Sequence, residues 1–77
     1  MNPKFRIDAV NVEGADAYAR VTQVGSDSFA VSEGSTLGGV SVRAELQEPS
    51  PGTFRFHLRD AADCSRLKVG EVVSLET

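Results

Sequence analysis

Four side chains that bind anions or carry protons recur at alternate positions along two short segments of the chain. One is Arg43, and the other three are Arg55, His57 and Arg59. Spacing by two residues places side chains on one side of an extended strand. Guanidinium and imidazole groups grouped on one face bind phosphates, a nucleic-acid backbone or an acidic protein surface through charge-assisted hydrogen bonds. These four residues are the predicted binding site, and Arg20 or Arg6 would adjoin it.

The residues of this face leave three interpretations open. It is a solvated structural face if Glu45 pairs with Arg55 across two strands, as oppositely charged neighbours commonly do. It binds another protein, or a second copy of the chain, if the arginines are free. It binds nucleic acid in the manner of an OB-like protein if aromatic rings stand among the arginines, because single-strand binding uses base stacking. The sequence places no exposed aromatic residue there.

Neither a catalytic nor a metal-binding role of His57 agrees with the sequence spacing of the candidate residues or with the expected directions of their side chains. It is the only histidine, and with Asp60, Asp63 and Cys64 it matches no zinc-ligand spacing. As a nucleophile and base, Cys64 and His57 would need to lie within hydrogen-bond reach. His57 is expected to point outward from a strand and Cys64 inward from a helix. We therefore predict no catalytic residue, no metal, no cofactor and no enzymatic activity.

The glycine-rich segment 33–39 superficially resembles a phosphate-binding loop. Such loops deliver the anion to a helix N-terminus and usually carry a lysine. Here the segment contains no lysine and leads into a predicted strand. It is therefore interpreted as an ordinary connection.

Composition restricts the class of protein. The chain has 77 residues, a net charge of −3 and one cysteine. This length predicts a single domain over residues 1–77. The net charge argues against a general attraction to nucleic acid or anionic membranes, and the lone cysteine excludes an internal disulfide. Charges at Lys4, Arg6 and Asp8 argue against a signal peptide, so a cytoplasmic location, or a particle assembled there, is expected without a membrane partner.

Hydrophobic periodicity predicts an all-β fold with one short helix. Alternation is strictest at 40–47 and 53–59, and less regular in the other strands. A bulge near Ala9 and Val10 is needed to keep the first strand in phase. Asp60 is the predicted N-cap of the helix, whose residues Ala61, Cys64 and Leu67 would face the sheet. The predicted strands are 4–13, 17–24, 29–33, 40–47, 53–59 and 71–76, and the helix lies at 60–67.

The hairpin joined at Pro51 and Gly52 predicts a specific register. Pro fixes its own φ and Gly accepts a positive φ, as a type II turn requires. If Gln47 faces Thr53, every inward apolar residue meets an apolar partner. The predicted inward pairs are Val42 with Leu58, Ala44 with Phe56, and Leu46 with Phe54.

Two resemblances extend this interpretation. The ending from Leu67 to Glu76, with a turn at Gly70, resembles the last turn and strand of many small barrels. The chain from about Arg20 onward resembles short β-rich proteins of tailed phages and prophages. The matching pieces are Gly25-Ser26 to Phe29, the strand from Phe54 to Leu58, Asp60-Ala61-Ala62 and Val69-Gly70, whereas the closing strand lacks the aromatic residues of that group. This resemblance implies no catalytic residue.

Taken together, these patterns predict a small antiparallel β-barrel or strongly bent six-stranded sheet, SH3-like or OB-like in size. We expect a non-enzymatic protein-binding or assembly module, of phage or prophage origin, whose partner is another protein or a second copy. The alternative function is an OB-like nucleic-acid-binding protein that uses the same face.

Overall fold

Six antiparallel strands form a closed barrel in the computed structural model, which describes residues 2–77. The neighbours around the barrel are β1-β2-β5-β4-β3-β6, and β6 pairs again with β1. The predicted small antiparallel barrel with one short helix is therefore confirmed. The strands are β1 (Lys4–Glu13), β2 (Asp16–Val24), β3 (Thr36–Leu37), β4 (Val40–Ser50), β5 (Thr53–Leu58) and β6 (Val72–Glu76), and a 3-10 helix spans Ala61–Arg66.

Phenylalanine rings fill the centre of the barrel. Phe5 on β1 contacts Phe54 and Phe56 on β5, with ring centroids 6.0 and 5.5 Å apart and the rings nearly perpendicular. Edge-to-face packing of this kind adds to the stabilisation from apolar burial. Ile7 and Leu58 are also almost fully buried in this core. The strands therefore enclose packed side chains at the level of these rings.

A bulge in β1 keeps its apolar side chains turned toward the core. Ile7 pairs with Val21 and Ala9 pairs with Arg20, so Asp8 is the extra residue. The bulge predicted near Ala9 and Val10 is therefore present, and its extra residue is the adjacent Asp8. After the bulge, Val10 packs against the core. This is expected, because one inserted residue shifts which positions of the strand point inward.

The predicted strand at 29–33 is wrong. Residues 25–35, here called the strap, contain no strand, and β3 lies within the segment predicted to be a loop. Phe29 lies 5.0 Å from Phe5 between ring centroids, and Val31 also packs against the core. Apolar side chains of an irregular segment can be buried without strand pairing, which explains the apparent strand pattern.

The outer half of β4 also departs from the prediction. Val40 and Val42 are fully buried, but Ala44 is exposed and Leu46 is 37% exposed. The pairing of Val42 with Leu58 is confirmed. The predicted partners of Ala44 and Leu46 are wrong, because the register shifts after Val42 and Leu46 faces Phe56 rather than Phe54. Since β3 pairs with β4 only at Val40 and Ser41, no strand within residues 2–77 covers the far edge of this half.

The helix and closing strand follow the prediction closely. Asp60 caps the 3-10 helix, and its carboxylate accepts a hydrogen bond of 2.9 Å from the amide of Ala62. Leu67 is buried, while Ala61 and Cys64 are partly buried against the core. In β6 the inward residues are buried and the outward Val72 is exposed.

Replacing Gly38 by alanine is expected to destabilise the barrel strongly. Gly38 has a φ of 59°, and an added Cβ would lie 2.8 Å from Cγ1 of Val73. Gly52 has a φ of 81° but open space around it, so Gly52→Ala isolates the cost of the backbone conformation. That cost is about 1 kcal/mol. The steric clash adds roughly 1–3 kcal/mol in Gly38→Ala. Urea denaturation of both variants measures the difference, and equal loss would contradict the predicted clash.

Replacing Thr22 by valine is expected to change the titration of Asp8. The hydroxyl of Thr22 donates to Asp8 and, with help from Arg6, holds the pKa of that carboxyl below its ordinary value. The stabilisation is therefore fully present above about pH 4, and it is lost as the pH falls through the lowered folded-state pKa. Thr22→Val should raise this pKa and cost about 1 kcal/mol at neutral pH. Carboxyl NMR titration and urea denaturation test this, with Thr22→Ser as the control that keeps the donor.

Candidate functional site

His57 lies on the outer surface of β5 but is covered by its neighbours. Its Nε2 is 3.2 Å from Oδ1 of Asp16, and its Nδ1 is 3.5 Å from Oε2 of Glu45. The ring of Tyr18 stacks on the imidazole with centroids 4.6 Å apart. Only 7% of His57 is exposed, so the prediction that it is an exposed side chain is wrong. The cause is Tyr18, which lies directly opposite His57 on β2.

Arg55 contacts the same tyrosine ring. Its guanidinium carbon lies 3.9 Å from the Tyr18 centroid, a cation–π distance. Its Nη2 donates to Oε1 of Glu13 at 3.0 Å. The predicted pair of Arg55 with Glu45 is wrong, because the shifted register puts Gln47 opposite Arg55 and leaves Glu45 beside His57. Tyr18, Arg55 and His57 thus form one stacked group, which three carboxylates surround.

Arg59 has a different role from its neighbours on the chain. It forms an ion pair with the carboxylate of Glu33 and also donates to the backbone carbonyl of Glu33 at 3.2 Å. Because Glu33 belongs to the strap, this arginine ties the strap to the end of β5. Its charge is compensated within the chain, so it is less available to a partner than the prediction assumed.

Arg43 is the predicted arginine with the greatest freedom. It is exposed, and within residues 2–77 no carboxylate lies within 4 Å of its guanidinium. Glu45 and Gln47 contact His57 and Arg55, so alternate residues of this part of β4 face outward with them. Arg43 shares that alternation.

Sequence reasoning missed Tyr18 as a member of this surface, and it named Arg20 only as a residue that would adjoin the site. Both alternate on β2 with Ala17, Ala19 and Val21, which are fully buried. Arg20 lies directly opposite Arg55. The alternation of small residues with tyrosine and arginine was the available signal, but alanine is too weakly apolar to mark the inward side. The outer surface formed by Tyr18, Arg20, Arg43, Arg55 and His57 is called the Arg/Tyr face below.

The surroundings of His57 and the distribution of acidic side chains determine what chemistry this surface could support. Both ring nitrogens of His57 are directed at carboxylates, so neither is directed at the half-buried thiol of Cys64. In residues 2–77 no group of three or more His, Cys, Asp or Glu side chains is placed to hold a metal ion. Two grooves, of about 430 and 240 Å³, lie near Lys4 and Phe29, and the residues that line them do not belong to the Arg/Tyr face.

The chain matches no family model, no curated protein and no solved structure. In the part of the chain that the structure describes, residues 2–77, no helix is long and apolar enough to span a bilayer. Fold and site together define a small closed β-barrel whose outer surface carries a stacked tyrosine, arginine and histidine.

Replacing Tyr18 by alanine is expected to uncover His57 and weaken the barrel wall. The loss of the stacking and cation–π contacts should lower the free energy of unfolding by about 1–2 kcal/mol. Tyr18→Phe keeps the ring and should stay within about 0.5 kcal/mol of the parent. Urea denaturation measures stability, and the rate of His57 modification by diethyl pyrocarbonate measures exposure. Unchanged reactivity in Tyr18→Ala would show that the ring does not shield the imidazole.

Proposed function

We propose that this chain is a non-enzymatic protein-binding or assembly module that recognises its partner with the Arg/Tyr face. The observation that carries the proposal is the contact of one tyrosine ring with both Arg55 and His57 on the outside of the barrel. Tyrosine and arginine are enriched where protein interfaces gain most of their binding energy. These side chains are already held in place, so binding costs little additional ordering.

Charged groups around the stack support selectivity for one partner. Glu13 bonds to Arg55, and Glu45 lies beside His57, yet their side chains remain 61% and 73% exposed. Arg20 and Arg43 provide positive charge on the flanking strands β2 and β4. A surface of interleaved charges favours a partner with the complementary pattern and disfavours others. This supports a protein partner, or a second copy of the chain.

The alternative, nucleic-acid binding, gains one supporting observation and faces two opposing ones. Tyr18 supplies the aromatic ring that the sequence did not place among the arginines. However, the ring already contacts Arg55 and His57, which reduces its availability to stack a base. Glu13, Asp16 and Glu45 would repel a phosphate backbone. A protein partner is therefore better supported, and a cytoplasmic location and a phage or prophage origin remain predictions.

A pair of charge-matched variants tests the proposal. The partner is first captured from lysate with the tagged chain and identified by mass spectrometry, and light scattering detects self-association. Binding of the purified partner is then measured by calorimetry to the parent and to Arg43→Ser/Arg55→Ser. We expect the dissociation constant to rise about tenfold or more, as substitution of central interface arginines commonly causes. Arg66→Ser/Lys68→Ser removes the same charge elsewhere and should leave binding within about twofold.

Equal affinities of all three proteins for the partner would contradict the proposed use of this face. Binding of an oligonucleotide that weakens steeply with salt and depends on Arg43 and Arg55 would instead establish the nucleic-acid alternative. Thermal unfolding of each variant confirms that the fold is retained.

A further inference from the structure

Two arginines face each other directly across neighbouring strands of the Arg/Tyr face. Arg20 on β2 is the register partner of Arg55 on β5. Like charges directly opposite one another destabilise a sheet, unless something of opposite charge lies between or beside them. Arg55 has such a neighbour, since it bonds to Glu13 and lies over Tyr18. The pair is therefore compensated on one side only.

Arg20 lacks that compensation. It is exposed, and among residues 2–77 no carboxylate comes within 4 Å of its guanidinium. The charge of Arg20 contributes to the lowered pKa of Asp8, but that carboxylate is already engaged by Thr22 and Arg6. A guanidinium opposite another guanidinium, with its donors free, is an incomplete anion site.

We propose that the partner of the Arg/Tyr face is an acidic protein segment that places a carboxylate between Arg20 and Arg55. This inference rests on the proposed function and specifies the chemistry of the partner. Arginine binds carboxylates through paired, directional hydrogen bonds. Opposite residues of a sheet have Cβ atoms only about 5 Å apart. The two arginines therefore start from adjacent positions, and one carboxylate, with two oxygens, can accept from both guanidinium groups.

Charge on the rest of the face selects a carboxylate over a phosphate chain. A nucleic acid brings a negative charge at every nucleotide, and its neighbouring phosphates would meet Glu13, Asp16 and Glu45. A protein segment can carry its acidic side chains at the centre and basic ones at its ends. Such a segment satisfies Arg20 and Arg55 and also pairs with the exposed Glu13 and Glu45. The complementary partner is thus acidic at its centre and basic at its flanks.

A synthetic peptide provides the direct test. The probe has two glutamates at its centre, a lysine near each end and serine elsewhere, and the control peptide has glutamine in place of glutamate. Binding is followed by NMR through the backbone amides of β2 and β5 and the Nε–Hε signals of arginine. We expect the glutamate peptide alone to shift Arg20 and Arg55. In Arg20→Gln its dissociation constant should rise about fivefold, the effect of one exposed ion pair.

Arg66→Gln is the matched control, because it removes one exposed arginine charge from the 3-10 helix instead. Its affinity for the glutamate peptide should stay within about twofold of the parent. Equal weakening in both variants, or equal binding of the two peptides, would overturn the inference by showing that only net charge matters. Tighter, Arg20-dependent binding of an oligonucleotide would also overturn it.

The two levels of the proposal fail differently. Suppose that Arg43→Ser/Arg55→Ser weakens binding of the purified partner, whereas Arg20→Gln changes the affinity for neither the partner nor the peptide. The face is then functional, and the proposed carboxylate site is wrong. If no substitution in the face changes the affinity for the purified partner, both the proposed function and the inference are wrong.

Discussion

The alternation of β5 is the constraint on which both the core and the outer face depend. This strand lies between β2 and β4, and its inward residues Phe54, Phe56 and Leu58 are buried in the barrel. Its outward residues, Arg55 and His57, carry the stacked group. Because side chains alternate with a period of two, a slip by one residue would expose the phenylalanines and bury the charges. The large cost of that exchange keeps one register, so the packing of the core also positions the site.

The face is assembled from strands that are distant along the chain, and closure of the barrel holds them together. Glu13 comes from β1, Tyr18 from β2 and Glu45 from β4, while β5 supplies the residues that all three contact. Groups on paired strands are held more rigidly than groups on loops. The strap contributes at one end, where the carboxylate of Glu33 forms an ion pair with Arg59 and accepts a hydrogen bond from the backbone amide of Ala44. The strap thus contacts the outer half of β4, which the two-residue strand β3 is too short to reach.

The alternation of apolar and polar residues was sufficient to predict those elements in which the burial of each side chain depends only on its position in the same element. The bounds of β1, the cap at Asp60 and the inward side of β6 follow from residue types and spacing, and the structure agrees. The exposure of Ala44 and Leu46 depends instead on how far a neighbouring strand extends, which alternation does not specify. The strand predicted at 29–33 was wrong for a related reason, because Phe29 packs against an aromatic cluster, partly buried, without pairing as a strand.

The candidate site shows why a row of basic residues in a sequence overstates anion affinity. Arg43, Arg55, His57 and Arg59 look equivalent by spacing, but three of them have acidic neighbours contributed by other elements. Each of these three side chains already contacts a carboxylate of the chain, so it helps to fix the shape of the surface and has a reduced capacity for further ionic contacts. The greatest remaining capacity for ionic contacts lies in Arg20 and Arg43, whose guanidinium groups have no carboxylate within 4 Å among residues 2–77. A net charge of −3 gives no general long-range attraction to polyanions, so ionic recognition at this surface would depend on local charge complementarity.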